Sequence, residues 1–156
     1  MKHLVFPTAS AAESRALGQR LAHHLQPPIV IALHGDLGAG KTTFTQGIAA
    51  GLGIQQRVTS PTFTLVNEYT LENGRRLVHI DSYRLDRGEA EGIGLEEILD
   101  DERAIVVIEW AERVAELLPN ERIEIEFISA SEAEARTIII GANGRFAEAQ
   151  IQPLAA

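Results

Sequence analysis

Residues 35–42 read Gly-Asp-Leu-Gly-Ala-Gly-Lys-Thr, which is a complete G-x-x-x-x-G-K-T phosphate-binding loop. Its glycines allow the backbone to curl around an anion and to point several N–H groups inward. Lys41 would supply positive charge for the β- and γ-phosphates, Thr42 a hydroxyl ligand for Mg²⁺, and Thr43 a contact to the α-phosphate. We therefore expect a nucleoside triphosphate to be bound by Leu37, Gly38, Ala39, Gly40, Lys41, Thr42 and Thr43.

The segments on either side of this loop have the character that the motif requires. The apolar run at residues 29–33 predicts a buried strand before the loop. Apolar residues at helical spacing after Lys41, ended by glycines, predict a helix that begins at the loop. Such a helix presents unpaired N–H groups and a positive dipole end to phosphate oxygens. The alternative is a glycine-rich turn that only caps a helix. It explains less well why strand, loop and helix patterns occur together in this order.

Two carboxylates end predicted strands. Asp81 follows residues 77–80, and Glu109 follows the more apolar run at residues 104–108. Triphosphate hydrolysis needs a carboxylate near Mg²⁺ and a group that orients water on the γ-phosphate, and both normally stand at strand ends beside the loop. We expect Glu109 in the magnesium shell, and Asp81 as a second ligand, as the group that orients water, or as both. For either acid alone, a carboxylate that caps the next helix is an equal alternative.

A third candidate segment, Ser60-Pro61-Thr62-Phe63, lies between the helix and the next strand. Pro61 restricts the backbone and leaves two hydroxyl groups that could reach the γ-phosphate. We expect Thr62 to contact that phosphate during catalysis, so that the segment orders when triphosphate binds. A proline turn with local hydroxyl bonds is the alternative. Trp110 is interpreted as a packing residue that senses nucleotide through Glu109.

The remaining helical patterns lie before and after these segments. Ser10 and Glu13 form a capping box at the start of a helix that ends before Pro27. Short helices are expected at residues 94–99 and 112–118. The five histidines show no metal-ligand spacing, and His34 and His79 are interpreted as strand residues.

The strand patterns complete an α/β arrangement over a single domain, residues 1–156. Asn73-Gly74 between two β-rich runs predicts a hairpin. The run at residues 104–108 predicts a buried central strand, and residues 122–127 and 137–140 predict a strand pair. The expected fold is a three-layer, P-loop NTPase-like one, in which a central mixed sheet, parallel at its core with antiparallel strands, is flanked by helices.

Composition narrows the class of protein. Of 156 residues, 45% are hydrophobic and 23% charged, which is typical of a globular chain, and no apolar run approaches bilayer length. The start is too short in apolar residues for a signal peptide and cysteine is absent, so we expect a cytoplasmic protein. The net charge of −8 opposes nucleic-acid binding unless a local basic patch exists. Arg75-Arg76 and Arg84 with Arg87 are the candidates, with solvated surface as the alternative.

Four motifs together closely resemble the TsaE family: residues 35–44, 60–66, 79–85 and 108–110. These are small bacterial ATPases needed to make threonylcarbamoyladenosine in tRNA. The phosphate loop alone is unspecific, but four motifs in this order and at this chain length are specific. The resemblance implies ATP and Mg²⁺ as cofactors, with Thr42 and Glu109 in the metal shell and Asp81 in hydrolysis. Arg136 is a candidate for an adenine contact.

The resemblance also implies partner proteins. The family works with the TsaD and TsaB type subunits of the threonylcarbamoyl-transfer complex, which hydrolysis is thought to reset. We expect weak hydrolysis by the chain alone, since no arginine is obviously placed to assist it, and weak or absent direct tRNA binding. Three alternatives stay open. A small-molecule kinase would carry an arginine-rich lid, a GTP-type switch would carry an Asn-Lys-x-Asp run, and a pure binding module would hold nucleotide without cleaving it.

Overall fold

Strands and helices alternate along the part of the chain that the computed structural model describes, which is residues 3–35, 40–59, 66–83, 94–130 and 134–155. The strands are β1 His3–Thr8, β2 Ile29–His34, β3 Val66–Thr70, β4 Arg76–Asp81, β5 Ala104–Glu109, β6 Arg122–Ser129 and β7 Arg136–Asn143. The α-helices are α1 Ala11–Ala22, α2 Lys41–Gly51, α3 Leu95–Leu99 and α4 Arg145–Ile151. Short 3₁₀ segments occur at Glu72–Gly74, Ala111–Leu117 and Gln152–Ala155.

All seven strands form one mixed sheet in the order β1-β7-β6-β2-β5-β4-β3. The inner strands β6, β2, β5 and β4 pair in parallel, whereas β1 with β7, β7 with β6, and β4 with β3 pair antiparallel. Every residue of β5 is buried, and so is β2 except its last residue. A strand that is covered on both faces is apolar throughout, which explains the two continuous apolar runs in the sequence. The predicted mixed sheet with flanking helices is confirmed.

Helices α1 and α2 cover one face of the sheet and touch at glycine. A Cβ on Gly47 would lie 2.1 Å from the carbonyl oxygen of Arg15, and one on Gly18 would lie 2.4 Å from that of Phe44. Backbones can approach this closely only where no side chain intervenes. The fully buried Leu21 and Ile48 belong to the core cluster under the two helices. This contact fixes the position of α2. The helix begins at Lys41, near the end of the phosphate loop.

The capping box and the hairpin are also confirmed. The Glu13 N–H donates to Ser10 Oγ at 3.1 Å, and Glu13 Oε2 accepts from the Ala9 N–H at 2.9 Å. The hairpin pairs β3 with β4 across the turn at Asn73, whose φ is +63°. Within the described ranges, no helix is long and apolar enough to cross a membrane.

Three elements differ from the sequence prediction or were not predicted. Strand β1 lies at the sheet edge against β7, where the missing N–H of Pro7 is tolerated. Helix α4 follows Gly144 near the end of the chain. The segment expected to be a helix at residues 112–118 is a 3₁₀ segment, kinked at Val114 (φ −125°). It ends before Leu118, which precedes Pro119 and is therefore extended.

In one of the two predicted basic clusters, Arg76 forms ion pairs with acidic neighbours. Arg76 pairs with Asp101 and, at 2.9 Å, with Glu68. The pKa of Asp101 lies below its ordinary value because its carboxylate accepts from the backbone N–H of Arg103 and from Arg76. Arg76 is thus held in ion pairs, while Arg84 and Arg87 lie outside the described residues.

The close contact between α1 and α2 leads to a stability prediction. Gly47→Ala would place a methyl group against the Arg15 carbonyl and force the helices apart, so the free energy of unfolding should fall by about 2 kcal/mol. Denaturant unfolding measures this difference, and Ala16→Ser, at an exposed position of α1, is the control. A Gly47→Ala protein as stable as the wild type would show that the helices need not touch here.

Candidate functional site

The phosphate loop connects the end of β2 to the start of α2. Gly40 is the residue before α2 and has φ +97°, a left-handed conformation that glycine adopts without strain. The helix begins at once, because the Phe44 N–H donates to the Gly40 carbonyl at 3.0 Å. Its N-terminal amides therefore stand at the carboxyl end of the sheet, where an anion would be bound. Leu37, Gly38 and Ala39 lie outside the described residues.

The Lys41 side chain extends back to Gly35 after β2 and is almost fully buried. Its ammonium donates to the carbonyl oxygen of Gly35 and lies 3.6 Å from the centroid of the Trp110 ring. A cation over an indole face is attracted to the ring electrons. Trp110 therefore contacts Lys41 itself, in addition to following Glu109 in sequence.

Glu109 ends β5, and its carboxylate is buried, with 4% of the residue exposed. The Thr42 hydroxyl, from the first turn of α2, lies 3.2 Å from Oε1 and 3.3 Å from Oε2. The two residues predicted to share the metal shell are thus in contact, although they are 67 positions apart in the sequence. A buried carboxylate requires such hydrogen-bond donors, because it has lost its water.

A second donor to Glu109 is His79, for which the sequence pattern predicts only a position in a strand. Its Nε2 lies 2.5 Å from Glu109 Oε2, and the imidazole is fully buried. Its Nδ1 has no hydrogen-bond partner among the residues that the structure describes. One sequence pattern does place His79 at the site: it precedes Asp81 by two residues, and residues i and i+2 of a strand point to the same face of the sheet.

Asp81 stands beside Glu109 at the carboxyl edge of the sheet. The two residues are paired in the register of β4 and β5. Asp81 Oδ1 accepts from the Tyr83 N–H at 3.0 Å. The buried Ser82 hydroxyl donates to the carbonyl oxygens of Glu109 at 2.7 Å and Trp110 at 2.8 Å, which joins the ends of the two strands.

Arg136 and Tyr83 lie at the edges of the site. Arg136, at the start of β7, places Nε 3.9 Å from the point where a Cβ on Gly40 would lie, so its side chain is beside the loop. The Tyr83 ring lies 4.9 Å from the Trp110 ring, centroid to centroid. Ser60 and Thr62 lie outside the described residues.

The donor set suits Mg²⁺ bound together with a nucleotide. Thr42 offers one hydroxyl oxygen and Glu109 one carboxylate, side by side. Within the described ranges no group of three or more His, Cys, Asp or Glu side chains could hold a metal ion by itself. Mg²⁺ commonly takes one or two protein ligands and completes its shell with phosphate oxygens and water. These residues fit that arrangement.

Comparison with known proteins identifies the family of the chain. A family model described as "Threonylcarbamoyl adenosine biosynthesis protein TsaE" matches residues 8–138. The chain belongs to the TsaE family. Two relatives carry the name tRNA threonylcarbamoyladenosine biosynthesis protein TsaE. The Bacillus subtilis relative is 39% identical over 146 residues, with 94% of this chain and 90% of the relative covered. The Streptomyces coelicolor relative is 38% identical over 148 residues, with 90% and 99% covered.

A solved structure agrees as well. The crystal structure of Bacillus subtilis YdiB superposes with a TM-score of 0.84 at 36% sequence identity, covering 99% of this chain and 95% of that one. The resemblance to the TsaE family that four sequence motifs indicated is therefore confirmed, and the likeness extends over the whole sheet.

The His79 contact predicts a positioning effect on the metal site. In the Mg²⁺·ATP site expected here, His79→Leu would remove one donor to the Glu109 carboxylate, and the Mg²⁺ concentration for half-maximal hydrolysis should rise by about tenfold. Nucleotide affinity measured without Mg²⁺ should stay unchanged. His79→Gln, whose side-chain amide can reach the position of Nε2 and donate a hydrogen bond, should recover part of the loss.

The control for this variant is His24→Leu, which makes the same change two residues after the end of α1. Thermal unfolding establishes that both variants are folded before the titration. An unchanged Mg²⁺ midpoint in folded His79→Leu protein would contradict a positioning role for His79.

Proposed function

We propose that the protein binds Mg²⁺·ATP at its phosphate loop and hydrolyses it as an accessory subunit for threonylcarbamoylation of adenosine in tRNA. The observation that carries this proposal is the contact between Thr42 and Glu109, at 3.2 Å. It brings a hydroxyl at the helix start and a carboxylate at a strand end to one point, as Mg²⁺ bound to a triphosphate requires. Membership of the TsaE family supports the assignment to tRNA modification.

In this proposal the nucleotide is bound mainly by the loop. The backbone N–H groups of Leu37, Gly38, Ala39 and Gly40 and the first turn of α2 surround the phosphates. Lys41 exchanges its contact with the Gly35 carbonyl for the β- and γ-phosphates, because an anion is the stronger partner for an ammonium group. Arg136 lies beside the loop and contacts the nucleotide from β7.

Catalysis is assigned to the carboxyl ends of β4 and β5. The Mg²⁺ ion, when bound, neutralises charge on the phosphates and would be held by Thr42 and Glu109. Asp81, one strand away from Glu109, orients the attacking water or serves as a further ligand. Thr62 contacts the γ-phosphate. The product is ADP and free phosphate.

The biological role requires partner proteins. We infer that the TsaD and TsaB type subunits of the threonylcarbamoyl-transfer complex bind this chain in the cytoplasm, and that ATP hydrolysis returns the complex to its starting state. The chain alone is a slow ATPase whose rate rises in the complex. Contact with tRNA is indirect or weak, since the net charge of −8 opposes it.

Phosphate release with and without the partner complex tests the proposal. Glu109→Gln and Thr42→Ala should each lower kcat by about a hundredfold, because the metal loses a ligand. Lys41→Ala should abolish measurable ATP binding. Glu112→Gln, which removes a surface carboxylate paired with His34, is the control and should retain full activity.

The same assay separates the alternatives. Labelled γ-phosphate recovered as free phosphate supports an ATPase, whereas label on a small acceptor would identify a kinase. Competition by GTP as strong as by ATP would favour a GTP-type switch. Wild-type hydrolysis by Glu109→Gln protein, or a rate unaffected by the partners, would contradict the proposed function.

A further inference from the structure

Acidic residues are nearly absent from one continuous part of the chain. Residues 14–67 contain four Lys and Arg residues and a single acid, Asp36, so this stretch carries a net charge of +3. The other residues contain ten Lys and Arg and 21 Asp and Glu, a net charge of −11, which together make the chain's −8. The positive stretch includes α1 from Ser14 onward, β2, α2 and the connection after α2. The net negative charge of the molecule is therefore carried by the rest of the chain.

Two arginines of this positive stretch line the same groove. The groove has a volume of about 250 Å³ and lies between α1, α2 and residues 54–58. Arg15 and Arg57 line it, and within the described ranges neither has a hydrogen bond or an ion pair from its side chain. By contrast, Arg76 pairs with two carboxylates and Arg122 with one. We call this feature the arginine groove; its other lining residues are Gln46, Ala49, Ala50, Ile54, Gln56 and Val58.

The lining indicates what the groove can bind. Two exposed guanidinium groups and two glutamine amides offer hydrogen-bond donors, and a guanidinium binds a carboxylate in a two-pronged geometry. Between them, the exposed Ala50 and the half-buried Ile54 supply apolar surface for an aliphatic side chain. A short protein segment with acidic and apolar residues satisfies both. An RNA backbone suits the groove less well, because an extended polyanion would also meet the rest of the surface, whose residues carry a net negative charge.

The groove is connected to the nucleotide site through α2. The Gln46 side-chain amide donates to the Val58 carbonyl oxygen at 2.9 Å. Gln46 belongs to the helix that begins at the phosphate loop, and Val58 precedes by two residues the segment in which Thr62 is expected to contact the γ-phosphate. A partner in the groove would therefore contact both elements that lead to the phosphates.

We propose that the arginine groove binds an acidic segment of the threonylcarbamoyl-transfer complex, with Arg15 and Arg57 contacting its carboxylates. The identity of the partner rests on the proposed function, whereas the acidic and apolar chemistry of the segment rests on the groove.

The test compares two double variants with the same change in charge. Arg15→Glu with Arg57→Glu reverses the groove, and Arg20→Glu with Arg145→Glu reverses two exposed arginines that do not line it. Affinity for the purified, immobilised TsaD and TsaB type complex is measured with Mg²⁺ and a non-hydrolysable ATP analogue. The groove variant should bind at least about tenfold more weakly, and the control within about twofold of the wild type. ATP binding should be unchanged in both.

Each other outcome has a defined meaning. Equal affinity of the groove variant and the wild type, or an equal loss in both doubles, overturns the groove assignment and leaves the proposed function standing. A groove variant that keeps the protein complex but loses affinity for labelled tRNA identifies RNA as the occupant and overturns the inference. Failure of the wild type to bind the complex overturns both the inference and the proposed partners.

A milder variant covers the case in which charge reversal impairs folding. Arg15→Gln with Arg57→Gln removes both charges but keeps a polar side chain that can still donate hydrogen bonds, and it should weaken binding by about threefold to fivefold. Affinity equal to the wild type in this folded variant would again overturn the groove assignment.

Discussion

The hydrogen bonds to the buried carboxylate of Glu109 constrain the whole site. Glu109 ends β5, Thr42 donates to it from α2, and His79 donates to it from β4. A carboxylate removed from water is unstable without such partners, so two strand ends and one helix start must lie close together. The same carboxylate is the predicted protein ligand for Mg²⁺. The Glu109 side chain thus has two roles: it holds the ends of these elements together, and it is the predicted metal ligand.

The rest of the fold places these three elements. Parallel pairing of β4, β2 and β5 brings their carboxyl ends to one edge of the sheet, as is usual for binding sites in open α/β sheets. The glycine contact between α1 and α2 holds the helix that carries Thr42 against that edge. Ser82 joins the ends of β4 and β5 through two carbonyl oxygens. The site is therefore supported by backbone contacts as well as by its own side chains.

Local sequence patterns were sufficient to predict the inner sheet and that Thr42 and Glu109 lie side by side at its edge. The continuous apolar runs at β2 and β5 indicate strands that are buried on both faces of the sheet. The loop motif indicates the connection from β2 to α2. Strand β1 escaped prediction because it exists only by pairing with β7, more than a hundred residues later, and because Pro7 argues against a strand.

The role of His79 could not be read from the sequence for a similar reason. Its contact with Glu109 depends on the register of β4 against β5, which no local pattern specifies. The division of charge is visible in the sequence, but the arginine groove is not, since it forms only where α1, α2 and residues 54–58 pack together. Contacts between distant segments were the information that the sequence patterns lacked.

The central claim is that Thr42 and Glu109 hold the metal that accompanies a bound triphosphate. A crystal structure with a non-hydrolysable ATP analogue and Mn²⁺ in place of Mg²⁺ tests it most directly, because anomalous scattering locates the ion. The account predicts Mn²⁺ about 2.1 Å from Thr42 Oγ1, with Glu109 bound to it directly or through one water. An ion located elsewhere, with the hydrogen bond between Thr42 and Glu109 unbroken, would contradict it.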